Sequence, residues 1–175
     1  AAASGGEIEI TGVEPVVLVE PLKALRKMGA GLRIFGAAGP KARIRMVMER
    51  RPAGITIDTG PYPGFPTDLQ SVFLAAEASG TGESQIRETV YEARFEAAVR
   101  LASFGADVSV HGDTAIIKGR YPLLPGVVET PDLRGGAALL VAALSADGLS
   151  VVSDRGHLKR GYEDIGRDLR ILGAD

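Results

Sequence analysis

Apolar positions follow two rhythms along this chain. Residues 7–11 and 43–48 alternate polar and apolar side chains, the period of a strand with one wet face, so Arg43 and Arg45 are expected on the solvent side opposite Ile44 and Met46. Residues 22–30, 98–107 and 167–175 read instead as amphipathic helices, each closed by a Gly-Ala pair at Gly29, Gly105 and Gly173. Upstream of each, an Ala-rich helix ends near 3–5, 78–80 and 144–148 and leads into a β-rich run at 7–11, 84–89 and 149–153. After the first two Gly-Ala ends come paired short strands, 32–35 with 43–48 and 107–110 with 115–118, the latter across the turn His111-Gly112-Asp113.

These elements repeat. Strand 55–59 opens the one complete copy and Lys118 closes it, giving strand–helix–strand–helix–strand–strand with parallel pairing expected through both helical crossovers. The copies span roughly 1–52, 53–120 and 121–175, and each thin layer needs its neighbours as cover. The expectation is one α+β domain over 1–175. The first copy opens in the tail of a helix and the third stops at Asp175, where its sister continues into two strands. Both ends therefore fall inside a repeat, and the expectation is either that the chain is a fragment or that other polypeptide supplies the missing strands.

Charge and composition narrow the function classes. Twenty Lys and Arg against 22 Asp and Glu leave a formal net charge of −2, so nothing argues for a nucleic-acid or anionic-membrane partner. Without cysteine there is no disulfide, thiolate metal site or cysteine nucleophile, and without tryptophan no obvious stacking platform. His111 and His157 lack metal-ligand spacing, and no phosphate-loop, dinucleotide, zincin or nucleophile-elbow motif occurs; neither metal nor cofactor is expected. The longest uncharged run considered, 135–146, is short of the ~20 residues of a membrane span, and no leader is legible at the start; a soluble cytoplasmic protein is the expectation.

Two sites repeat. Pro66-Thr67-Asp68-Leu69-Gln70 and Thr130-Pro131-Asp132-Leu133-Arg134 both lie between a strand and an Ala-rich helix, placing Asp68 and Asp132 in a first helical turn. One reading is capping alone: Thr67 or Thr130 caps its helix, Pro131 sits at the first helical position, and the acid favours the helix dipole. The other is chemical. Equivalent helix N-termini at one end of a repeat stack attract anions, a carboxylate there can serve as base for a hydroxyl, and Arg134 can pair with a phosphate or carboxylate. The run 154–162, Asp154-Arg155-Gly156-His157-Leu158-Lys159-Arg160-Gly161-Tyr162, is either a solvated charged turn or a mobile anion clamp.

Four segments carry a resemblance: Pro61-Tyr62-Pro63-Gly64-Phe65-Pro66-Thr67-Asp68-Leu69-Gln70, Glu88-Thr89-Val90-Tyr91-Glu92-Ala93-Arg94-Phe95, Thr130-Pro131-Asp132-Leu133-Arg134 and Arg160-Gly161-Tyr162-Glu163. In order and spacing they resemble the UDP-N-acetylglucosamine enolpyruvyl transferase family, over essentially the whole chain. The resemblance implies an inside-out α/β barrel of βαβαββ units and transfer of enolpyruvyl from phosphoenolpyruvate to the 3-hydroxyl of UDP-N-acetylglucosamine, the first committed step of peptidoglycan synthesis. It implies Asp68 as the base on that hydroxyl, Asp132 beside the reacting carbons, Val90 contacting the nucleotide sugar through its backbone, and Arg134 and Arg160 holding phosphoenolpyruvate. It also implies a second domain, with a Lys-Asn pair, a Cys- or Asp-bearing loop and a substrate-gripping arginine, that has no counterpart here; alone, this chain is expected not to turn over. A non-catalytic module binding a nucleotide sugar or a protein, and a shikimate-pathway relative, remain alternatives.

Overall fold

A computed structural model of the chain describes residues 1–36, 39, 41–92 and 94–174. In chain order the elements are β1 (Gly6–Thr11), α1 (Val19–Lys27), β2 (Gly31–Phe35), β3 (Arg43–Met48), β4 (Thr56–Asp58), α2 (Gln70–Ala78), β5 (Glu83–Arg87), α3 (Glu96–Arg100), β6 (Asp107–His111), β7 (Thr114–Lys118), β8 (Val127–Glu129), α4 (Leu133–Ala143), β9 (Val151–Ser153) and α5 (Ile165–Ile171). They form three sheets, ordered β1-β3-β2, β4-β5-β7-β6 and β8-β9. Among the described residues these sheets do not close into a barrel.

Only the first crossover of a repeat ends in direct parallel pairing. β4 pairs parallel with β5 across α2, and β8 with β9 across α4. The second crossover, through α3, leaves β5 and β6 both antiparallel to β7, which lies between them. β1 and β2 flank β3 in the same way across α1. The expectation of parallel pairing through both crossovers is therefore corrected. The hairpin partner satisfies the free edges of both flanking strands at once, which direct pairing of those two would not.

The three Gly-Ala helix ends are superposable in their bonding. Gly29, Gly105 and Gly173 all have positive φ (104°, 70° and 94°). Their amides donate to Arg26, Ala102 and Arg170, while the amides of Ala30, Ala106 and Ala174 reach back to the carbonyls of Leu25, Leu101 and Leu169. Each is the same C-terminal motif, and glycine holds it because side chains rarely adopt that conformation.

Helices α2 and α4 lie inside, whereas α5 has no buried residue. Eight of the nine residues of α2 are buried, and α4 buries Gly135 through Leu139 together with Ala142. In β3 the side chains of Ile44, Met46 and Met48 point inward while Arg43 and Arg45 face out, paired with Glu9 and Glu7, as their alternation requires. His111 ends β6 rather than occupying the turn.

Of the two buried acids among the described residues, Glu77 and Glu88, Glu77 lies on the buried helix α2. Glu77, on α2, is 1% exposed; its Oε2 accepts from the Ser84 hydroxyl at 2.5 Å, and its Oε1 has no partner among the described residues. Burial pushes its carboxyl up to about 7, against the opposing Ser84 hydrogen bond. The folded state thus holds a proton that the unfolded chain releases near its ordinary value of 4.5. The stabilisation is complete below that value and is lost as pH rises through about 7. Urea unfolding should show the chain less stable at pH 8 than at pH 5 by up to ~3 kcal/mol, and Glu77→Gln should flatten that slope. A slope that survives the substitution would place its origin elsewhere.

Candidate active site

The candidate residues gather where strands end and helices begin. α2 and α4 pack against each other with their N-termini at the same end, so residues far apart in sequence meet there. Asp68 sits on a 3-10 turn, Thr67–Leu69, that runs into α2. Its Oδ2 accepts from an Nη of Arg134, at the start of α4, at 2.6 Å, and its Oδ1 accepts from Arg94 at 3.3 Å. The Arg134 guanidinium, backed by Arg94, holds the Asp68 carboxyl below the usual carboxylate range despite partial desolvation. Arg94 is fixed in turn by the Thr67 hydroxyl, at 2.5 Å, and by the ring of Tyr91, whose centroid lies 4.3 Å from its guanidinium carbon.

Capping falls to different residues than the sequence pattern indicated. Asp132 is itself the N-cap of α4, accepting from the amides of Arg134 and Gly135, each at 2.8 Å. Pro131 precedes the cap and so is not the first helical residue. Neither threonine caps. Thr67 donates to Glu88 at 2.7 Å and Thr130 to Asp154 at 2.6 Å. An aspartate two residues closer to the helix outcompetes Thr130 for the same amides.

Those two acids form a repeated device that the sequence reading overlooked. Glu88 follows β5 and Asp154 follows β9; each takes a hydroxyl from a threonine one residue beyond the neighbouring parallel strand, Thr59 at 2.8 Å and Thr130 at 2.6 Å. Each then folds the loop behind it over its own carboxylate. Glu88 accepts from the amides of Val90 (2.8 Å) and Tyr91 (3.1 Å), and Asp154 from Gly156 and His157 (3.0 Å each). Burial raises the Glu88 carboxyl, but bonds from Thr67, Val90, Thr59 and Tyr91 outweigh it and leave the group below its ordinary value. The Thr130 hydrogen bond, with the amides of Leu158, Gly156 and His157, likewise depresses Asp154. A threonine at the end of one strand and an acid at the end of its partner was the available signal, visible only once the pairing is known.

Val90 lies exposed on the loop so formed, beside an open hollow of about 340 Å³ lined by Glu88, Thr89, Val90, Tyr91, Phe95 and Asp113, among others. Its amide is committed to Glu88, at 2.8 Å. Arg160 lies on a 3-10 turn, Leu158–Arg160, held against the start of α4 by Leu158. Gly136 makes this approach possible: a Cβ there would stand 3.0 Å from both Leu158 and Thr130. Run 154–162 is therefore a built turn ordered by Asp154, with Arg160 exposed and, among the described residues, in no ion pair.

Comparison with known proteins agrees with this architecture. Residues 1–169 match the family EPSP synthase (3-phosphoshikimate 1-carboxyvinyltransferase). The chain belongs to that family of carboxyvinyl (enolpyruvyl) transferases. Within it, the chain is 42% identical over 99% of its length to a UDP-N-acetylglucosamine 1-carboxyvinyltransferase of Coprothermobacter proteolyticus, and 39% identical over its full length to one of Symbiobacterium thermophilum. It spans about 40% of the length of each. The solved enolpyruvyl transferase NikO from Streptomyces tendae superposes with a TM-score of 0.83 at 30% identity, over 97% of this chain and 39% of that one. An EPSP synthase of Acinetobacter baumannii shares the fold at 20% identity, with a TM-score of 0.67 over 99% of this chain and 40% of that one.

Glu88→Gln should weaken the acceptor that gathers two hydroxyls and two amides, with a loss of about 1–3 kcal/mol in urea unfolding. Amide hydrogen exchange should accelerate at Val90 and Tyr91 and stay unchanged at the Asp154 turn. Unaltered exchange at Val90 and Tyr91 would remove Glu88 as the organiser of that loop.

Proposed function

We propose that this chain is part of an enzyme that transfers the enolpyruvyl group of phosphoenolpyruvate to the 3-hydroxyl of UDP-N-acetylglucosamine with release of phosphate, a step of peptidoglycan synthesis. The observation that carries the reading is the cluster Asp68, Arg94 and Arg134 at the shared ends of α2 and α4, in a chain whose curated relatives at 37–42% identity bear that enzyme's name. Addition of a hydroxyl across an enol and elimination of phosphate need a proton acceptor and fixed cations at the developing charge. Asp68 is the acceptor for the hydroxyl proton. Arg134 and Arg160 hold the phosphate and carboxylate of phosphoenolpyruvate. Asp132, anchored to two amides, keeps its other oxygen beside the reacting carbons, and the Val90 loop borders the nucleotide sugar. The acid that protonates the enol carbon belongs to polypeptide outside this chain, in the second domain that closes the cleft.

The name of the matched family favours a second acceptor, shikimate 3-phosphate. The higher identity to the nucleotide-sugar enzymes supports the first.

Nitrogen-15 NMR of the chain separates the two. Millimolar UDP-N-acetylglucosamine should shift the amides of Val90 and Tyr91, and phosphoenolpyruvate those around Arg134 and Arg160, whereas shikimate 3-phosphate should leave Val90 in place. Shifts at Val90 with shikimate 3-phosphate and none with the nucleotide sugar would overturn the choice of acceptor. In a chimera carrying this chain in place of the matching segment of the Coprothermobacter relative, Asp68→Asn should slow phosphate release by roughly 10²–10⁴-fold. Unchanged turnover there would dismiss Asp68 as base.

A further inference from the structure

Charge is unevenly spread along the chain. Between Lys23 and Arg51 lie nine Lys and Arg and one acid, Glu49, whereas the remaining residues hold 11 cations against 21 acids. That basic stretch folds into the last turns of α1, then β2, β3 and the link beyond β3. Much of it therefore surfaces in one place, on the β1-β3-β2 sheet at its β2 edge.

The strand register lays out that face. β3 turns Ile44, Met46 and Met48 inward, so Arg43, Arg45 and Val47 point out, opposite Phe35, Arg33 and Gly31 of β2. Arg33 and Arg45 thus stand directly across from each other, which costs stability unless negative charge lies close by. Glu7 and Glu9 answer only part of this. They lie on β1, on the far side of β3, and pair with Arg45 at 2.6 Å and Arg43 at 3.9 Å. Arg33, Arg50 and Arg51 are exposed and, among the described residues, in no ion pair. Gly31 and Val47 line an open hollow of about 770 Å³ that also takes in Met28, Arg50 and Arg51.

β2 ends its sheet, so alternate amides and carbonyls along it have no strand partner among the described residues. On its inner side Ile34 stays 40% exposed. A charge on an edge strand discourages copies from pairing, since a second copy would bring Arg33 towards its twin. One charge serves that purpose. Here cations of one sign extend over two strands and an adjoining hollow.

We propose that the open edge of β2 receives, as an added strand, an extended acidic segment of a partner protein. Its main chain extends the ladder, acidic side chains on one face meet Arg33 and Arg45, and apolar ones on the other cover Ile34. Residues that run on past Gly31 reach the hollow, where Arg50 and Arg51 favour further acids. The strand edge selects a peptide over a nucleic acid, which has no amides to complete the ladder. The sign of the charge selects against a second copy. None of these residues belongs to the candidate active site, so this interaction stands or falls apart from the proposed reaction.

The test uses the 175-residue chain and an end-blocked peptide, Glu-Val-Glu-Val-Glu-Val-Glu, as the probe. Nitrogen-15 NMR should show the amides of Leu32 to Phe35 shifting as the peptide is added. β6, the matching edge strand of the complete repeat, carries Asp107, Ser109 and His111 on its outer face and should stay in place. Arg33→Glu should weaken binding by about tenfold or more, while unchanged β6 and β7 signals report an intact fold. The same peptide N-methylated at alternate residues keeps its charges but cannot complete the ladder, and should bind about tenfold more weakly. No shift in β2 at millimolar peptide overturns the proposal, as does equal binding of Lys-Val-Lys-Val-Lys-Val-Lys or of the Arg33→Glu chain. Equal binding of the methylated peptide overturns strand addition. A short DNA duplex that displaces the acidic peptide from β2 at lower concentration overturns the choice of partner.

Discussion

Two helices buried on most of their faces, α2 and α4, lie against each other at the centre of the chain, and the small residues at their buried positions (Ala75, Ala78, Ala137, Ala138 and Ala142) leave room for that approach. Leu74 and Leu139, both essentially without exposure, fill what remains. Truncating either to alanine removes contacts that a close-packed interior cannot recover, at about 2–5 kcal/mol. The same packing sets the ends of the helices level. Asp68 and Arg134, 66 positions apart, can then pair at 2.6 Å. The meeting of Asp68 with Arg134 depends on those levelled ends.

The acids behind the site serve geometry before chemistry. Glu88 and Asp154 each link the end of one parallel strand to the loop that follows the other, using a threonine hydroxyl on one side and backbone amides on the other. Hydrogen bonds favour the charged form of both carboxylates, Glu88 in a buried position and Asp154 in an exposed one, and both loops are shaped by the charge they surround. The Glu88 loop carries Val90, and through Thr67 it also bears on Arg94 and Asp68. One hydrogen-bonding device thus recurs at the end of β5 and of β9.

The repeat itself was legible before any coordinates. Gly29, Gly105 and Gly173 mark helix ends by a local rule of backbone conformation, and Arg43 and Arg45 mark a wet strand face by alternation; both rules operate within a few residues. Asp68, Asp132 and Arg134 were legible as candidates because equivalent positions of a repeat fall at equivalent helix starts. Glu88 and Arg94 were in view as letters of a motif but without a role, since their partners Thr59, Thr67 and Asp68 come from other elements. Capping was misassigned for a related reason. Whether Thr130 or Asp132 faces the first amides of α4 depends on where Asp154 draws the threonine hydroxyl, 24 residues away.

Sequence alone determined the order of elements, the repeat and the residue types gathered at its turns, because periodicity, glycine conformation and side-chain charge are properties of short stretches. Tertiary structure decided three things: that β7 and β3 insert between strands expected to pair directly, that Asp132 and not a threonine caps α4, and that Arg134 rests on Asp68. Each is a competition between groups distant in the chain for one partner, and its outcome is fixed by the distances that packing imposes.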